Sequence, residues 1–428
     1  MITRRRFVTT TAAAAGLLGT GLLGMPAAIA GEIMPKSGKR VVVIGGGWGG
    51  ATAAKYIRMM DPSIEVVMIE REPVFRSCPL SNWVIGGIRS MDDITVSYEA
   101  LASEHGVKVV QDTVQAIDPD AHAVDVTAGR IKYDRLILSP GIEIIRGSIP
   151  GLDEAESVFP AAWKAGPETV ELRRQLEAMP IGGTVVLTVP LGPYRCPPGP
   201  YERTSLIADY LRQNKPGSKI VVFDANQKIV SKGPLFSKAW ADFYGDIVDY
   251  RPDHKVTRVD AESRMIYSDF DEIKADVGNV IPPQRASRLV FDAGLVPEGR
   301  SWAPVDPMDF TSTENADVHV IGDAVDTTTV GPVPKSGFVA NSMGKVAAAA
   351  AVARLNDAEL APPTLANTCY SLVSADEGIS VTAVYQWNPE TKKVEAVDGS
   401  KGVSPERSRM IAHNAQDWAQ AIWADMLA

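Results

Sequence analysis

The sequence predicts an α/β protein built from two parallel-sheet domains and a closing α+β domain. Three observations carry that prediction. The segment RVVVIGGGWGGATAAKYIRMM, from Arg40, sets a β-branched run, a glycine-rich turn and an alanine-rich stretch in succession, which reads as strand, tight turn, helix. Short apolar runs then alternate with helix-like stretches, at VKVV (107–110), RLILSPG (135–141), TVVLTV (184–189), KIVVFD (219–224), RLVFDAG (288–294) and DVHVIGDA (317–324), as strands of a parallel sheet crossed by helices would. From TLANTCYSLVS onward the texture changes, with TAVYQW and KKVEAV reading as antiparallel strands and SPERSRMIAHNAQDWAQAIWADMLA as a final helix. The 428 residues, 45% hydrophobic, suffice for two or three compact cores.

The first thirty residues read as a targeting segment. TRRRFV (Thr3 to Val8) places a twin arginine before the mildly apolar TTTAAAAGLLGTGLLG, and AIA at 28–30 is a small-residue cleavage site. A membrane anchor needs about twenty strongly apolar residues, and this run is short and rich in Ala, Thr and Gly. The expectation is export by the twin-arginine route to the periplasm, where disulfides persist, with no integral membrane span in the mature chain. The formal net charge is −9, and with Arg4, Arg5 and Arg6 inside the segment the remainder is more acidic still. That balance argues against nucleic acid, whose phosphates need a cationic face. His105, His122, His254, His319 and His413 are scattered without ligand spacing, so no metal site is expected, and no CxxCH attaches a haem to this chain.

After the linker GEIMPKSGKR, Gly45, Gly47 and Gly50 form GxGxxG between strand and helix. The first glycine permits the tight turn, the second lets a pyrophosphate approach the backbone, and the third packs helix on strand, with the phosphates at the helix N-terminus. Glu70 ends the next strand, in DPSIEVVMIER, where a carboxylate accepts ribose hydroxyls. Two later segments narrow the dinucleotide to FAD. LILSPG, ending at Gly141, resembles the strand and turn that return past the nucleotide in glutathione-reductase-type flavoproteins. TSTENADVHVIGDA resembles their second FAD motif, which implies that Asp323 meets the ribityl chain. The helix that follows, with Ser336 and Gly337 at its start, would aim its positive end at the flavin's pyrimidine edge. This glutathione-reductase-like architecture implies two Rossmann-like domains and a C-terminal α+β interface domain. The expected divisions are an FAD-binding domain of residues 31–152 with 288–362, a nucleotide-domain homologue over 153–287, and a C-terminal domain over 363–428. In the last helix Ser404 is the expected N-cap and Pro405 the first helical residue, with Ile411, Ala415, Trp418, Ile422 and Met426 on one core-facing stripe.

The middle domain departs from its type. Its first strand, TVVLTV, is followed by GPYRCPPGPYER, which has no GxGxxG, and prolines 193, 197, 198 and 200 remove backbone N–H groups that a pyrophosphate would need. NAD(P)H is therefore not expected to bind. Three cysteines remain, Cys78, Cys196 and Cys369. In an exported protein an odd number suggests one disulfide and one thiol with another fate.

The blocks CPLSNWVIGG around Cys78, RCPPGPYER around Cys196 and NTCYS around Cys369 resemble the flavoprotein subunit of flavocytochrome c sulfide dehydrogenase. That resemblance, which runs over essentially the whole mature chain, implies a covalent bond from Cys78 to the flavin 8α-methyl. It also implies a redox-active Cys196–Cys369 disulfide over the isoalloxazine ring, hydrosulfide as substrate and a c-type cytochrome subunit carrying the haem. The chemistry agrees. Hydrosulfide is a small soft anion that needs an electrophilic sulfur; attack gives a persulfide on one cysteine and a thiolate on the other, which passes two electrons to the flavin. Two other readings stand beside it. A sulfide:quinone oxidoreductase would need an apolar channel and a membrane-facing C-terminal surface, whereas this tail is mixed and acidic. A non-catalytic flavoprotein acting as a sulfur-carrier partner would have its flavin bleached only slowly by sulfide.

Overall fold

The computed structural model describes residues 31–428; the predicted targeting segment, residues 1–30, lies outside them. Along the chain run β1 (Arg40–Ile44), α1 (Trp48–Met60), β2 (Glu65–Glu70), α2 (Ser81–Gly86), β3 (Lys108–Gln111), β4 (Arg135–Leu138) and β5 (Ile142–Ile144). Next come β6 (Thr184–Val189), α3 (Gly199–Asn214), β7 (Lys219–Asp224), α4 (Gly233–Phe243), β8 (Val248–Arg251), β9 (Val277–Val280) and β10 (Gln284–Ala286). The chain continues with α5 (Arg288–Asp292), β11 (Val318–Val320), α6 (Gly337–Leu355), β12 (Thr364–Leu372), β13 (Gly378–Asn388), β14 (Lys393–Ala396) and α7 (Arg409–Leu427).

The first sheet has the order β11-β4-β1-β2-β3, with every pairing parallel. Val41, Val42 and Val43 of β1 and Val66, Val67 and Met68 of β2 are wholly buried, because a parallel sheet is covered on both faces. Its order reverses next to β1, so the carboxyl ends of β1 and β4 open a crevice at the glycine turn, where open α/β sheets bind ligands. The second sheet, β8-β7-β6-β9, is also parallel throughout. Between the two units the chain passes out along β5 and back along β10, which pair antiparallel with Ile142 opposite Ala286. The third sheet, β12-β13-β14, is antiparallel and sets Cys369 opposite Val381.

Two sequence expectations are corrected. RLVFDAG, residues 288–294, forms helix α5 rather than a strand: only Val290 of it is buried, and Gly294 stops the helix in the left-handed conformation at φ 72°. A single inward residue per turn suits a short surface helix, whereas a strand of a covered sheet would bury the run. The last helix begins four residues later than expected, with Ser408 as N-cap accepting from the Ile411 N–H at 3.2 Å. Ser404 is instead spent on the edge of β13, where its N–H donates to the Ser380 carbonyl at 2.9 Å and its Oγ accepts from the Ser380 N–H at 3.1 Å. The predicted stripe on this helix does face inward: Ala415, Ile422 and Met426 are buried and Ile411 and Trp418 half-buried.

Helices α1, α6 and α7 lock together. Gly344 of α6 passes so close to α1 that a Cβ there would lie 2.4 Å from the Gly49 carbonyl oxygen. Asn341 donates to Thr52 Oγ1 and to Asp425 Oδ2, both at 2.9 Å, while Asp425 also accepts from Tyr56 at 2.6 Å and pairs with Lys345 at 2.9 Å. Gly344→Ala is expected to lower stability by about 1–3 kcal/mol, because both colliding groups are fixed by helix backbone. The helix propensity that alanine gains, about 1 kcal/mol, is smaller than that overlap. Urea unfolding of the two proteins checks the sign.

Candidate active site

The β1–α1 turn is shaped by what its glycines leave room for. Gly45 has φ 95°, and a Cβ there would sit 2.3 Å from the Ser139 carbonyl oxygen; a Cβ on Gly50 would meet the Gly45 carbonyl oxygen at 1.8 Å. Gly47, by contrast, has nothing within 4 Å and caps α1 without a side-chain bond, so the first N–H groups of the helix stay available to an anion. Glu70 stands at the end of β2, with Oε2 accepting from the Gly46 N–H at 2.7 Å. This is the arrangement of a pyrophosphate cradle with a ribose acceptor beside it.

At the N-terminal end of α1 a cavity of about 50 Å³ opens between the first and second units, lined by Trp48, Cys78, Trp163, Arg195, Cys196 and Asp323 among others. Asp323 lies in the short turn after β11; burial pushes its carboxyl up, and Oδ1 is buried without a partner. An orphaned buried carboxylate oxygen is costly unless something bonds it. Gly337 opens α6 at the cavity wall, where a Cβ would strike the Trp48 ring at 2.8 Å. Ser336 caps that helix, accepting from the Val339 N–H at 3.2 Å and donating to Asn367 Oδ1 at 2.7 Å. The buried Lys335 ammonium donates to the carbonyls of Asp323 at 2.9 Å and Val325 at 2.5 Å and lies 3.7 Å over the Trp302 ring; burial pulls it down to about 8. The open cradle, the unpaired Asp323 oxygen and the helix end at the cavity fit a flavin dinucleotide.

The corresponding turn of the second unit is closed to a nucleotide. At the start of α3 the Gly199 N–H is spent on the Cys196 carbonyl at 2.8 Å, Pro197, Pro198 and Pro200 have none, and the Glu202 N–H bonds the Pro198 carbonyl at 3.0 Å. A Cβ on Gly199 would lie 2.8 Å from the Trp163 ring and 3.0 Å from Cys196 Sγ, so side chains fill the space that a pyrophosphate would take. Asp224 ends β7, where a ribose acceptor would stand. It is wholly buried and accepts from the Tyr201 and Tyr250 hydroxyls, each at 2.8 Å, and from both Asn226 nitrogens at 2.8 Å.

Cys196 sits in the left-handed region at φ 57°, a conformation that costs a non-glycine residue energy and persists where surroundings over-determine it. Its N–H donates to the Lys335 carbonyl at 2.8 Å, which ties the second unit's turn to the first unit's Asp323 segment. Cys369 reaches the same place from β12. All three cysteines are free thiols here and each is half-buried. Burial pushes the Cys196 thiol up, as does a charge on Cys369 or Glu202, while Arg195 and Lys232 pull it down. Glu202 is buried and accepts from Asn82 Nδ2 and Trp83 Nε1, both at 3.1 Å, and from the Leu372 N–H at 2.9 Å; burial pushes its carboxyl up. Arg203, also buried, donates to the Ala161 and Ala162 carbonyls and to Asn82 and Asn279 and stacks on Trp163 at 4.9 Å; burial pulls it down to about 9.

Of the residues expected from sequence, Cys78, Cys196, Asp323 and Gly337 line the cavity, with Ser336 next to it and Cys369 near enough for its charge to act on Cys196. Gly45, Gly47, Gly50 and Glu70 gather at the cradle. Gly141, at φ 70°, is not among the lining residues; its carbonyl accepts from the Ser287 N–H at 3.1 Å, at the crossing between the units. Trp48, Asn82, Trp163, Arg195, Glu202, Arg203 and Lys232 were not singled out. Arg195, Glu202 and Arg203 lay inside the RCPPGPYER block, where one acid between two arginines in a turn was a usable signal; Lys232, in SKGPLF, offered none.

Three family profiles match the chain: sulfide dehydrogenase (flavocytochrome c) flavoprotein chain, central, over residues 169–282; flavocytochrome c sulphide dehydrogenase, flavin-binding, over 361–427; and pyridine nucleotide-disulphide oxidoreductase over 39–175. The chain is 59% identical over 46 residues to the sulfide dehydrogenase (flavocytochrome c) flavoprotein chain of Chlorobaculum thiosulfatiphilum, covering 11% of this chain and 96% of that sequence. It is 30% identical over 153 residues to the sulfide-quinone reductase of Aquifex aeolicus, a match covering 36% of this chain and 35% of that relative's length. Among solved structures, the sulfide:quinone oxidoreductase of Aquifex aeolicus superposes with a TM-score of 0.74 at 18% identity over 91% of both chains. An NAD-dependent persulfide reductase from A. fulgidus gives 0.63 at 17% identity, covering 90% of this chain and 77% of that one. These likenesses establish an α/β flavoprotein fold with Rossmann-like domains.

NADH is expected to give no binding heat in calorimetry and no flavin reduction. Asp224→Ala is expected to leave that unchanged while lowering stability by about 1–3 kcal/mol, since it strands two tyrosine hydroxyls without their acceptor. A nucleotide-binding aspartate would behave the other way round, so the pair of measurements is decisive.

Proposed function

The chain belongs to the family of the flavoprotein chain of flavocytochrome c sulfide dehydrogenase, and from that premise we propose that it oxidises hydrosulfide at Cys196 and Cys369. On this reading the electrons pass by way of FAD, held covalently at Cys78, to a c-type cytochrome subunit that carries the haem, and the mature chain works in the periplasm after twin-arginine export. One observation carries the reading: Cys196 stands on the wall of the cavity that also presents Cys78 and the unpaired Asp323, with Cys369 beside it and cations around it.

Gly47 and the N-terminus of α1 would hold the dinucleotide's pyrophosphate, Glu70 its ribose and Asp323 its ribityl chain, while the start of α6 turns positive backbone dipole toward the ring. When bound, FAD supplies an acceptor that takes an electron pair and releases electrons singly. The protein's own step is thiol–disulfide exchange. HS⁻ bonds one sulfur of an oxidised Cys196–Cys369 pair, the S–S bond breaks, and the other sulfur keeps the bonding electrons as a thiolate, so that one persulfide and one thiolate result. Arg195 and Lys232 favour anions at this spot, both the incoming HS⁻ and the departing thiolate. Glu202, whose charge bears on both sulfurs and whose carboxyl burial pushes up, is suited to take the proton of the bound HS group. Trp48 and Trp163 give the cavity an aromatic side, poor in groups that would hold water against sulfide.

Delivery to quinone is the second reading, favoured by the match to the Aquifex reductase. Among the described residues no helix is long and apolar enough to cross a membrane. Beside Met410, Ala421 and Ala424, the outer face of α7 shows Arg409, His413, Asn414, Asp417 and Gln420 to solvent, a mixed face that does not suit a membrane surface.

Two results are expected. The flavin remains with the polypeptide through acid precipitation and is set free by Cys78→Ala; free FAD from the unaltered protein refutes the linkage. Cys196→Ser and Cys369→Ser each lose anaerobic flavin reduction by sulfide while dithionite still reduces them, and sulfide-dependent turnover runs with cytochrome c and not with decylubiquinone. Turnover restricted to the quinone would select the second reading.

A further inference from the structure

Lys232 is a buried cation that bonds no carboxylate. It caps α4 in the left-handed conformation at φ 57°, which glycine or asparagine adopts at little cost and lysine seldom adopts. Only 6% of it is exposed. Its ammonium donates to Ser371 Oγ at 2.8 Å and to the Cys369 carbonyl at 3.1 Å, and lies 3.9 Å from Cys369 Sγ. None of these three is a carboxylate: the nearest acid, the buried Glu202, feels the charge of Lys232 but spends its oxygens on Asn82, Trp83 and the Leu372 N–H, and an ammonium taken out of water without a bonded counter-ion is destabilising. The sulfur is the one partner that can acquire a negative charge. When it does, a buried cation and a buried anion meet at hydrogen-bonding distance, and each offsets the other's desolvation.

Resting on the reading of Cys196 and Cys369 as the reacting pair, we propose that Lys232 is the positioning residue that holds the sulfur of Cys369 as an anion, so that Cys369 is the member of the opened pair that ionises first. The other groups facing these sulfurs divide accordingly. Burial pushes both thiols up, Glu202 from α3 adds to that opposition, and Lys232 is what works against it at Cys369. Arg195 favours the anion at Cys196, but the ammonium of Lys232 is the cation in bonding contact with Cys369. From the neighbouring strand Cys369 faces Val381, which is uncharged. The left-handed backbone of Lys232 then has a purpose: it turns the side chain of the α4 cap back toward β12 instead of out to solvent.

The test uses the flavin-containing protein with its thiols reduced. Alkylation by iodoacetamide is followed from pH 5 to 10, and the Cys196 and Cys369 peptides are quantified separately by mass spectrometry. In the unaltered protein the Cys369 midpoint is expected below that of Cys196. Lys232→Met is expected to move the Cys369 midpoint up by about one pH unit or more, the usual effect of removing an opposite charge at this range, with a smaller change at Cys196. That shift means roughly tenfold slower alkylation of Cys369 at pH 7. Lys232→Arg, which keeps the charge, restores the midpoint of the unaltered protein, an outcome that a purely structural lysine would not produce. An unmoved Cys369 midpoint in the methionine variant, with flavin retained, overturns the proposal; Lys232→Gln answers the same question if the methionine variant sheds its flavin. Since the readout contains no sulfide, a protein with these midpoints that fails to consume sulfide counts against the proposed function and leaves Lys232 where it stands.

Discussion

A backbone hydrogen bond, from the Cys196 N–H to the Lys335 carbonyl at 2.8 Å, joins the two halves of the site, beside the side-chain bonds of Asn82 and Trp83 to the start of α3. The donor belongs to the turn after β6 in the second unit and the acceptor to the segment that carries Asp323 and opens α6 in the first. Lys335 is itself pinned, its ammonium bonded back to Asp323 and Val325 and seated on Trp302. The thiol is thereby indexed to the same backbone that would index the ribityl chain. A reacting pair of atoms needs placement within a fraction of an ångström to gain from proximity, and a bond between the two positioning segments supplies it more directly than domain packing could.

The second unit was free to donate this turn because it does not use it for a nucleotide. Three devices keep a nucleotide out: prolines remove the N–H donors at the start of α3, Trp163 and the Cys196 sulfur occupy the space by Gly199, and Asp224 is turned inward onto Tyr201, Tyr250 and Asn226. Each would serve alone to weaken binding. Together they leave a parallel sheet and its helices intact while converting the ligand end of the unit into a wall of the first unit's cavity.

That wall is electrostatically unusual. Arg195 and Arg203 line the space, Lys232 and Lys335 are buried beside Cys369 and Asp323, and the acids there, Glu202 and Asp323, are pushed toward their neutral forms by burial. Arg203 is held by carbonyls and amides rather than by a carboxylate, and Lys232 by a carbonyl and a hydroxyl. An excess of positive charge retained in low dielectric favours whatever anion enters or forms there. Small nucleophilic anions and thiolates fit that description.

The sequence by itself determined the parts whose information is local. GxGxxG with Glu70 at the following strand end, the Asp323 motif, the absence of a second fingerprint and the inward stripe of the last helix each follow from backbone sterics or residue periodicity over a few neighbouring positions. Where local signals competed, the sequence was misleading: three apolar residues at 289–291 suited a strand as well as a helix, and Ser404 suited a cap as well as a sheet edge. Which of the two won depended on burial and pairing with distant segments. Only the tertiary structure decided that Cys369, 173 residues from Cys196 along the chain, comes near it, that the charged Glu202 and Arg203 are buried with the rest of the first turns of α3, and that Lys232, an ordinary lysine in SKGPLF, ends against a sulfur. Electrostatic partnership acts through space at a few ångströms, and no pattern within one segment records what another segment will bring to it.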